Sequence, residues 1–379
     1  MTRSFSTFVD DFDAGRISRR QLLTALVAAL ALPRVAVGQE PAAGRGRGDQ
    51  PRDTTPLVPP FEPTGWKTVW LDHLSYQCTD YRKAAAFYAT LMGWKVRSDD
   101  GKQALLDIGE NSGGILIRGG LTAPPPAAIT DAGLGVNRPP IHAVFDGFAW
   151  GIEPWDTDRV KGELEKRGLR PIADHHGADY KAFRIKDPDG FDLAITNGTK
   201  ALRRKVPANA KLPAPAPFAP TGWETLYLDH ISFEVPDFRR SAAFYQALLG
   251  WTMRTSNGAQ ASAQIGDIGG AIIRGNAAAR ARARGGDAAA AAVETRSASG
   301  ATAAIGHISF GIANWNTEHV REELKKRDVA YTNKDGQREP RPDMTGTLES
   351  FHVPDAMGWD LQIGNKIAPT RSETQERPA

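Results

Sequence analysis

The chain has 379 residues, of which 41% are hydrophobic and 24% charged, an ordinary composition for a soluble globular protein. Its formal net charge is only +3, with basic and acidic residues intermixed, which argues against a nucleic-acid partner or an anionic membrane. The single cysteine, Cys78, excludes an intrachain disulfide.

The N-terminus resembles an export signal. Arg19 and Arg20 precede a short apolar run at 22–32, which small residues follow up to position 38. This pattern is typical of a Tat-type signal peptide, and the run is shorter than the about 20 apolar residues that cross a membrane. We expect cleavage after 1–38, a disordered tether at 39–63, and a periplasmic or otherwise exported protein without membrane contact. Retention of the signal as an anchor is the alternative.

The chain contains an internal duplication. Three landmark pairs are each separated by 157 residues: Trp66 with Trp223, His73 with His230, and Trp94 with Trp251. A separation held over that many landmarks indicates two copies of one domain. We expect the first copy at 64–198, a Pro-rich, extended linker at 199–220, the second copy at 221–365 and a polar tail at 366–379.

Each copy is expected to contain two units in which a strand, a helix and further strands follow one another. In the first copy we expect strands at 68–77, 104–108, 114–118, 146–152, 181–186 and 191–196, and helices at 81–91 and 157–167. In the second copy we expect strands at 225–235, 306–313 and 359–364, others ending at 274, and helices at 238–249 and 317–327. An Ala/Arg/Gly-rich stretch at 276–304 reads as a surface insertion without structure of its own.

Strand alternation gathers polar side chains on one face of the second copy. In each of three strands the alternating apolar residues must cover the helices, which leaves His230, His307 and Gln362 on the opposite, concave face. Asp360 shares that face. Proteins bind Fe(II), Zn, Mn or Ni through sets of two histidines and an oxygen donor, which leave coordination positions open for substrate. The second copy therefore contains a candidate metal site.

The sequence resembles the vicinal oxygen chelate superfamily, which includes glyoxalase I, extradiol dioxygenases, fosfomycin-resistance enzymes and bleomycin-binding proteins. Asp-His opens the first strand at 72–73 and 229–230, Phe-Tyr and Gly-Trp close the first helix, and Asp-Pro-Asp-Gly precedes the last strand. The resemblance covers about 64–365. It implies an α+β fold of two tandem domains, each of two paired βαβββ modules forming a curved, barrel-like sheet with helices outside. Its implication for function is weaker, because this scaffold hosts many chemistries.

The resemblance also assigns roles to residues. His230 and His307 match the family's metal ligands on the first strands of the two modules. Gln362 matches the last-strand ligand, which is usually Glu; because Gln is neutral, we expect weaker binding, and Asp360 could supply the missing charge. His352 matches the position of a Tyr acid/base in extradiol enzymes and is the candidate proton carrier.

The first copy departs from this pattern. His73 occupies the first ligand position, but Gly147 and Ala194 stand at the other two. We therefore expect no metal in the first copy. A degenerate first domain beside a competent second one resembles the two-domain extradiol dioxygenases.

The leading hypothesis is an exported enzyme that uses a divalent metal ion, Fe, Mn, Zn or Ni, on a small substrate with vicinal oxygens. Extradiol dioxygenase-like chemistry is the first choice, and glyoxalase-like lyase or isomerase chemistry the second. The alternative is a non-catalytic small-molecule binder of the bleomycin-resistance type. Gln362 favours the binder, whereas the paired histidines and the export of a folded protein favour the metal enzyme. The sequence leaves open whether the chain forms a homodimer.

Overall fold

The computed structural model describes residues 55–122, 136–176, 179–205, 207–208, 210–256, 258–276 and 303–368. This part of the chain contains five helices: α1 Tyr81–Met92, α2 Thr157–Lys166, α3 Lys200–Lys205, α4 Phe238–Leu249 and α5 Thr317–Lys326. None of its helices is long and apolar enough to span a membrane. The expected signal peptide lies outside the described residues, as do most of the tether, the insertion and the tail.

The strands of the described residues belong to the two copies. The first copy contributes β1 Lys67–Cys78, β2 Lys95–Asp99, β3 Gln103–Asp107, β4 Gly114–Arg118, β5 Val136–Asn137, β6 Ala143–Glu153, β7 Ile172–Ala173, β8 Ala182–Lys186 and β9 Asp192–Thr196. The second copy contributes β10 Thr225–Val235, β11 Thr252–Ser256, β12 Gln260–Ile265, β13 Gly269–Gly275, β14 Ala304–Ile312, β15 Tyr331–Asn333, β16 Arg338–Glu339, β17 Arg341–Thr345, β18 Leu348–Pro354 and β19 Asp360–Gly364.

Each copy builds one mixed eight-stranded sheet. The strand order is β2-β3-β4-β1-β6-β9-β8-β7 in the first and β11-β12-β13-β10-β14-β19-β18-β17 in the second. The first strands of the two modules pair antiparallel at the centre, β1 with β6 and β10 with β14, so the modules pair within each copy. A small sheet, β16-β15-β5, joins the two copies. The predicted α+β class and tandem two-module architecture are confirmed.

The local structure differs from the prediction at several elements, including the short strands β5, β7, β15, β16 and β17, which were not predicted. The strands β2 and β11 were absent from the sequence prediction, which had no strand directly after the first helix of either copy. The linker, predicted to be extended throughout, instead begins with α3. The Thr199 hydroxyl caps this helix by accepting a hydrogen bond from the Leu202 amide, and Arg203 forms an ion pair with Asp107, so local capping and a tertiary contact stabilise helix here.

The two copies share one apolar core and exchange equivalent contacts. Thr64 donates its hydroxyl hydrogen to the Leu248 carbonyl, and Thr221, its counterpart 157 residues on, donates to the Leu91 carbonyl. Buried apolar residues of both copies form one continuous cluster. Trp66, Trp94 and Trp251 belong to it, and Trp223 packs against it. Trp94 donates its indole hydrogen to Thr225 of the other copy. The two copies therefore stabilise each other.

The turn before the last strand of each copy is also tied to the other copy. The Tyr245 hydroxyl donates to Asp187 Oδ2 over 2.7 Å, and the Tyr88 hydroxyl donates to Asp355 Oδ2 over 2.8 Å. Asp355 accepts a second hydrogen bond, from the Tyr76 hydroxyl. Burial raises the pKa of both carboxyl groups, that of Asp187 to about 6, while the hydrogen bonds they accept act in the opposite direction.

We expect Asp187→Asn to remove a pH dependence of stability. Because the folded-state pKa is about 6, above the ordinary value of 3.8 for this carboxyl group, the group stabilises the fold below pH 4, and the contribution is lost as the pH rises through 6. Asparagine keeps the oxygen that accepts from the Asp189 and Phe191 amides. Between pH 4 and pH 7, the free energy of unfolding of the variant relative to wild type should rise by about 2 kcal/mol, measured by urea titration. A difference that stays flat between pH 4 and pH 7 would contradict this.

Candidate metal centre

The register of four strands places the predicted site residues on one face of the second sheet. His230 on β10 is opposite Ser309 on β14, Ser309 is beside Gln362 on β19, and Gln362 is opposite His352 on β18. His307 precedes Ser309 by two residues on the same strand and so shares its face. The residues that were predicted separately from alternation thus form one contiguous group.

The two predicted histidine ligands meet at their Nε2 atoms. His230 Nε2 lies 3.0 Å from His307 Nε2, with the ring planes nearly perpendicular. On the other edge of its ring, His230 Nδ1 lies 3.0 Å from Asp229 Oδ2. A carboxylate in this position fixes the histidine tautomer with the proton on Nδ1 and leaves the Nε2 lone pair for a metal.

Asp229 is itself held in place. It accepts a hydrogen bond from the Ser309 hydroxyl over 3.0 Å and pairs with Lys366 Nζ at 2.7 Å. Burial acts to raise its pKa, but His230 and Lys366 outweigh burial and hold the pKa of Asp229 below its usual range. Asp229 is therefore ionised and suited to orient His230.

Both imidazoles are kept in the form that binds metals. Burial lowers the pKa of His230, although Asp229 opposes the shift. Burial also lowers the pKa of His307 well below its usual range, and the neighbouring His352 and His230 add to the effect. Because ligating histidines must be neutral, both are prepared for coordination near neutral pH.

Gln362 supplies an oxygen atom without a partner. Its side chain is buried, and its Nε2 donates a hydrogen bond to Ser350 Oγ over 2.8 Å. Its Oε1 is buried and accepts no hydrogen bond from the described residues. A buried acceptor in this condition calls for an additional group such as a cation or an ordered water.

His352 lies beside this group and is bonded to a different carboxylate. Its Nδ1 is 3.0 Å from Asp360 Oδ2, and its ring centroid is 4.8 Å from that of His307. Burial alone would lower the pKa of His352, but Asp360 and Asp343 outweigh it and raise that pKa above its usual range. His352 is therefore arranged to carry a proton next to the two metal-ligand candidates.

Asp360 does not provide the free negative charge that the sequence suggested. It accepts hydrogen bonds from the Tyr331 hydroxyl over 2.8 Å and from Arg138 over 3.1 Å, as well as contacting His352. Burial acts to raise its pKa, yet His352 and Arg138 lower it to about 2. The negative charge of Asp360 is therefore already paired with His352 and Arg138.

A second donor set overlaps the first. Ligand atoms of His307, His352 and Asp360 all lie within 4.8 Å of one another. Asp360 already accepts from three donors, whereas Gln362 Oε1 accepts no hydrogen bond from the described residues. His307 belongs to both sets.

Arg138 is a site residue that the sequence reasoning missed. It belongs to the first copy and reaches the second because β5 pairs with β15 of the small sheet. Its guanidinium lies over the Tyr331 ring, 5.4 Å from the centroid, as well as pairing with Asp360. It follows a Pro-rich passage with no periodicity, so no local pattern indicated this contact.

The first copy repeats the beginning of this arrangement and lacks the rest. His73 Nδ1 lies 2.8 Å from Asp72 Oδ2, as in the Asp229–His230 pair. Gly147 is opposite Ser75, and Ala194 is beside Ala149, in the registers that His307 and Gln362 have in the second copy. A cavity of about 840 Å³ opens there, lined by His73, Gly147 and Ala194 among others.

Comparisons with known proteins bear on the fold and on the first copy. Residues 70–195, in the first copy, match the family model Glyoxalase, described as the Glyoxalase/Bleomycin resistance protein/Dioxygenase superfamily. No curated protein sequence matches the chain. The family-model match agrees with the resemblance inferred from motifs and lies within the first copy.

Solved structures similar to this chain extend across both copies. The Mn(II)-bound glyoxalase from Novosphingobium aromaticivorans has 12% identity and a TM-score of 0.52, covering 80% of this chain and 83% of that chain. Homoprotocatechuate 2,3-dioxygenase from Arthrobacter globiformis has 17% identity and a TM-score of 0.51, covering 82% of each chain. The complex of the Brevibacterium fuscum enzyme with 3,4-dihydroxyphenylacetate has 16% identity and a TM-score of 0.50, covering 84% of each chain. At these identities the likeness shows the fold.

Proposed function

We propose that the second copy binds one divalent metal ion through His230, His307 and Gln362, in an exported enzyme of the vicinal oxygen chelate superfamily. The observation that carries this proposal is the 3.0 Å approach of His230 Nε2 and His307 Nε2, with Asp229 behind the first ring. The unpartnered oxygen of Gln362 supports it. A bound divalent ion would supply Lewis-acid polarisation, or activation of O₂, for a substrate that chelates it through two vicinal oxygens.

The chain's own residues would orient the site and move a proton. Asp229 fixes the tautomer of His230, and Lys366 and Ser309 fix Asp229. Asp360, held by Arg138, keeps a proton on His352 next to His307. His352 could give this proton to a substrate oxygen as a general acid, or accept one from it as a general base once the imidazole is neutral.

Ring-cleaving dioxygenase chemistry is our first choice of reaction. It is supported by the fold shared with homoprotocatechuate 2,3-dioxygenases and by the position of His352. Glyoxalase-like lyase or isomerase chemistry is the second choice, supported by the fold shared with an Mn(II)-bound glyoxalase. Iron and manganese are accordingly the first metals to test.

Export is part of the proposal. The paired Arg19 and Arg20 and the short apolar run after them support a Tat-type route that carries folded proteins. A metal bound before export would then travel inside the folded second copy to the periplasm.

A non-catalytic binder of small molecules is the second candidate function. The observation that favours it is the position of the large cavity, which lies in the first copy, away from the paired histidines. The two functions are compatible, because they use different copies of the domain.

The proposed enzyme is tested on full-length protein purified from its native export route. We expect about one Fe or Mn ion per chain by elemental analysis, and O₂ uptake with 3,4-dihydroxyphenylacetate or another catechol of a panel. Methylglyoxal with glutathione tests the second choice of reaction. A protein that binds no divalent metal when reconstituted with Fe(II), Mn(II), Zn(II) or Ni(II) would contradict the proposal.

His352→Ala is expected to lower turnover while leaving the metal in place. Because His352 carries a proton and is not one of the three proposed ligands, kcat should fall by roughly 10²–10⁴-fold with metal content unchanged. Arg184 is the matched control, since it stands beside Ala194 in the first copy as His352 stands beside Gln362 in the second. Arg184→Ala should leave kcat unchanged, and loss of metal in His352→Ala would instead favour the donor set with Asp360.

A further inference from the structure

The cavity of the first copy is large enough for a small organic molecule. Its volume of about 840 Å³ lies within the roughly 300–1,000 Å³ range of small-molecule pockets. The cavity lies where Gly147 and Ala194 stand in place of the larger His307 and Gln362 of the second copy. The same two differences that remove candidate ligand atoms from the first copy therefore also leave space there. Short side chains there leave the sheet face accessible.

The polar part of the cavity is centred on His73. Asp72 binds His73 Nδ1 and also accepts a hydrogen bond from the Tyr180 hydroxyl over 3.3 Å. Burial would raise the pKa of Asp72, but His73 and Arg203 outweigh it and lower that pKa, so Asp72 is an ionised acceptor. The contact with Asp72 places a proton on His73 Nδ1. Its Nε2, which has no hydrogen-bond partner among the described residues, is an acceptor available to a ligand.

Apolar side chains line the same sheet face beside this acceptor. Leu105 and Leu116 are paired across β3 and β4, and both line the cavity. Leu116 is beside Ser75, which shares the face of His73 two residues away on β1. Leu202 of α3 also lines the cavity. A flat apolar ring would therefore contact leucine side chains on one side while a polar substituent faces His73.

Several charged side chains of the cavity wall are neutralised by each other. Four ion pairs involve wall residues: Arg118 with Asp146, Arg184 with Asp174, Lys186 with Asp192, and Arg203 with Asp107, which Arg97 shares. The lining as a whole holds five aspartates and four arginine or lysine side chains, so its charges nearly balance. Paired charges give little net attraction for an ionic ligand. The wall therefore favours a neutral molecule.

We propose that the first copy binds one neutral aromatic molecule bearing a hydroxyl group, that is, a phenol. Its hydroxyl donates a hydrogen bond to His73 Nε2, and its ring packs against Leu105 and Leu116. No metal ion takes part. The site is independent of the metal site proposed for the second copy.

The test uses three probes with the full chain in isothermal titration calorimetry at neutral pH. 2-Naphthol has the donor, 2-methoxynaphthalene lacks it, and 2-naphthoate replaces it with a negative charge. We expect saturable binding of one 2-naphthol per chain, and binding of the other two weaker by roughly tenfold, the effect of one hydrogen bond of about 1.4 kcal/mol.

Variants locate the binding site. His73→Ala should weaken 2-naphthol binding roughly tenfold, and Ala194→Gln, which leaves the Asp72–His73 pair intact, should weaken it by filling the cavity. His230→Ala, at the equivalent position of the second copy, should leave it unchanged. Metal content should show the opposite pattern, lost in His230→Ala and kept in the two first-copy variants.

Three results would overturn the inference: no saturable binding of 2-naphthol, equal binding by wild type, His73→Ala and Ala194→Gln, or tighter binding of 2-naphthoate than of 2-naphthol. Failure of the proposed enzyme is distinguishable, because it concerns metal content and O₂ uptake and leaves the 2-naphthol titration unaffected.

Discussion

Replacing His307 with alanine is expected to abolish metal binding. His307 is the residue common to both donor sets of the second copy, and its Nε2 faces that of His230 at 3.0 Å. Removing it takes away a ligand, which should lower metal affinity by more than the roughly 10–100-fold cost of losing an outer hydrogen-bond partner. Metal content after dialysis, measured by elemental analysis, should fall from about one ion per chain to background.

Matched variants make this result specific. His73→Ala changes the histidine at the equivalent position to His230 in the first copy and should leave metal content unchanged. Gln362→Ala and Asp360→Asn separate the two donor sets: the first should lower metal affinity and the second should largely spare it. Full metal content in His307→Ala would exclude both sets.

Gly93→Ala is expected to be strongly destabilising. Gly93 ends α1 with φ of +70°, a conformation that costs an L-residue about 1–2 kcal/mol. A Cβ there would also lie 2.2 Å from the carbonyl oxygen of Trp223 in the other copy, so backbone must move. Overpacking adds about 1–3 kcal/mol, and we expect a total loss of about 3 kcal/mol or more in the free energy of unfolding, measured by denaturant titration.

Gly65 separates the two causes. It has φ of +73°, close to that of Gly93, but a Cβ added to it would meet nothing within 4 Å. Gly65→Ala should therefore cost only the conformational part, about 1–2 kcal/mol. Equal destabilisation by the two substitutions would show that the contact between the copies at Gly93 is relaxed without cost.

Much of this architecture could be predicted from the sequence because the signals are local and occur twice. The helix α4, Phe238–Leu249, was predicted with its observed bounds, since Asp237 caps its start and Gly250 ends it in the left-handed region. The strand β4 was likewise predicted at its observed bounds. β2 and β11 were missed because their apolar residues do not alternate over enough positions to indicate a strand.

The site was predictable only in part. Alternation placed His230, His307 and Gln362 on one face, where the structure has them, while their roles as ligands stay a prediction. Alternation also implied that adjacent residues point apart, yet Asp229 reaches His230 because the pairing of β10 shifts register between Leu228 and His230.

The remaining contacts of the site join residues that are far apart in the sequence. Arg138 meets Asp360, 222 residues later, through a small sheet between the copies. Lys366, the first residue of the predicted tail, reaches Asp229, which lies 137 positions earlier. No local periodicity could indicate either pair, since each depends on how the completed sheets pack.

The reciprocal contacts of Thr64 and Thr221, and of Tyr88 and Tyr245, are those that two identical chains would exchange across a twofold axis. In such a dimer every substitution appears twice, and the loss of a chelating side chain would disable both halves together. Covalent fusion removes that restriction. One half can lose its chelating groups and evolve toward other ligands, while the packing that both halves need for folding remains shared.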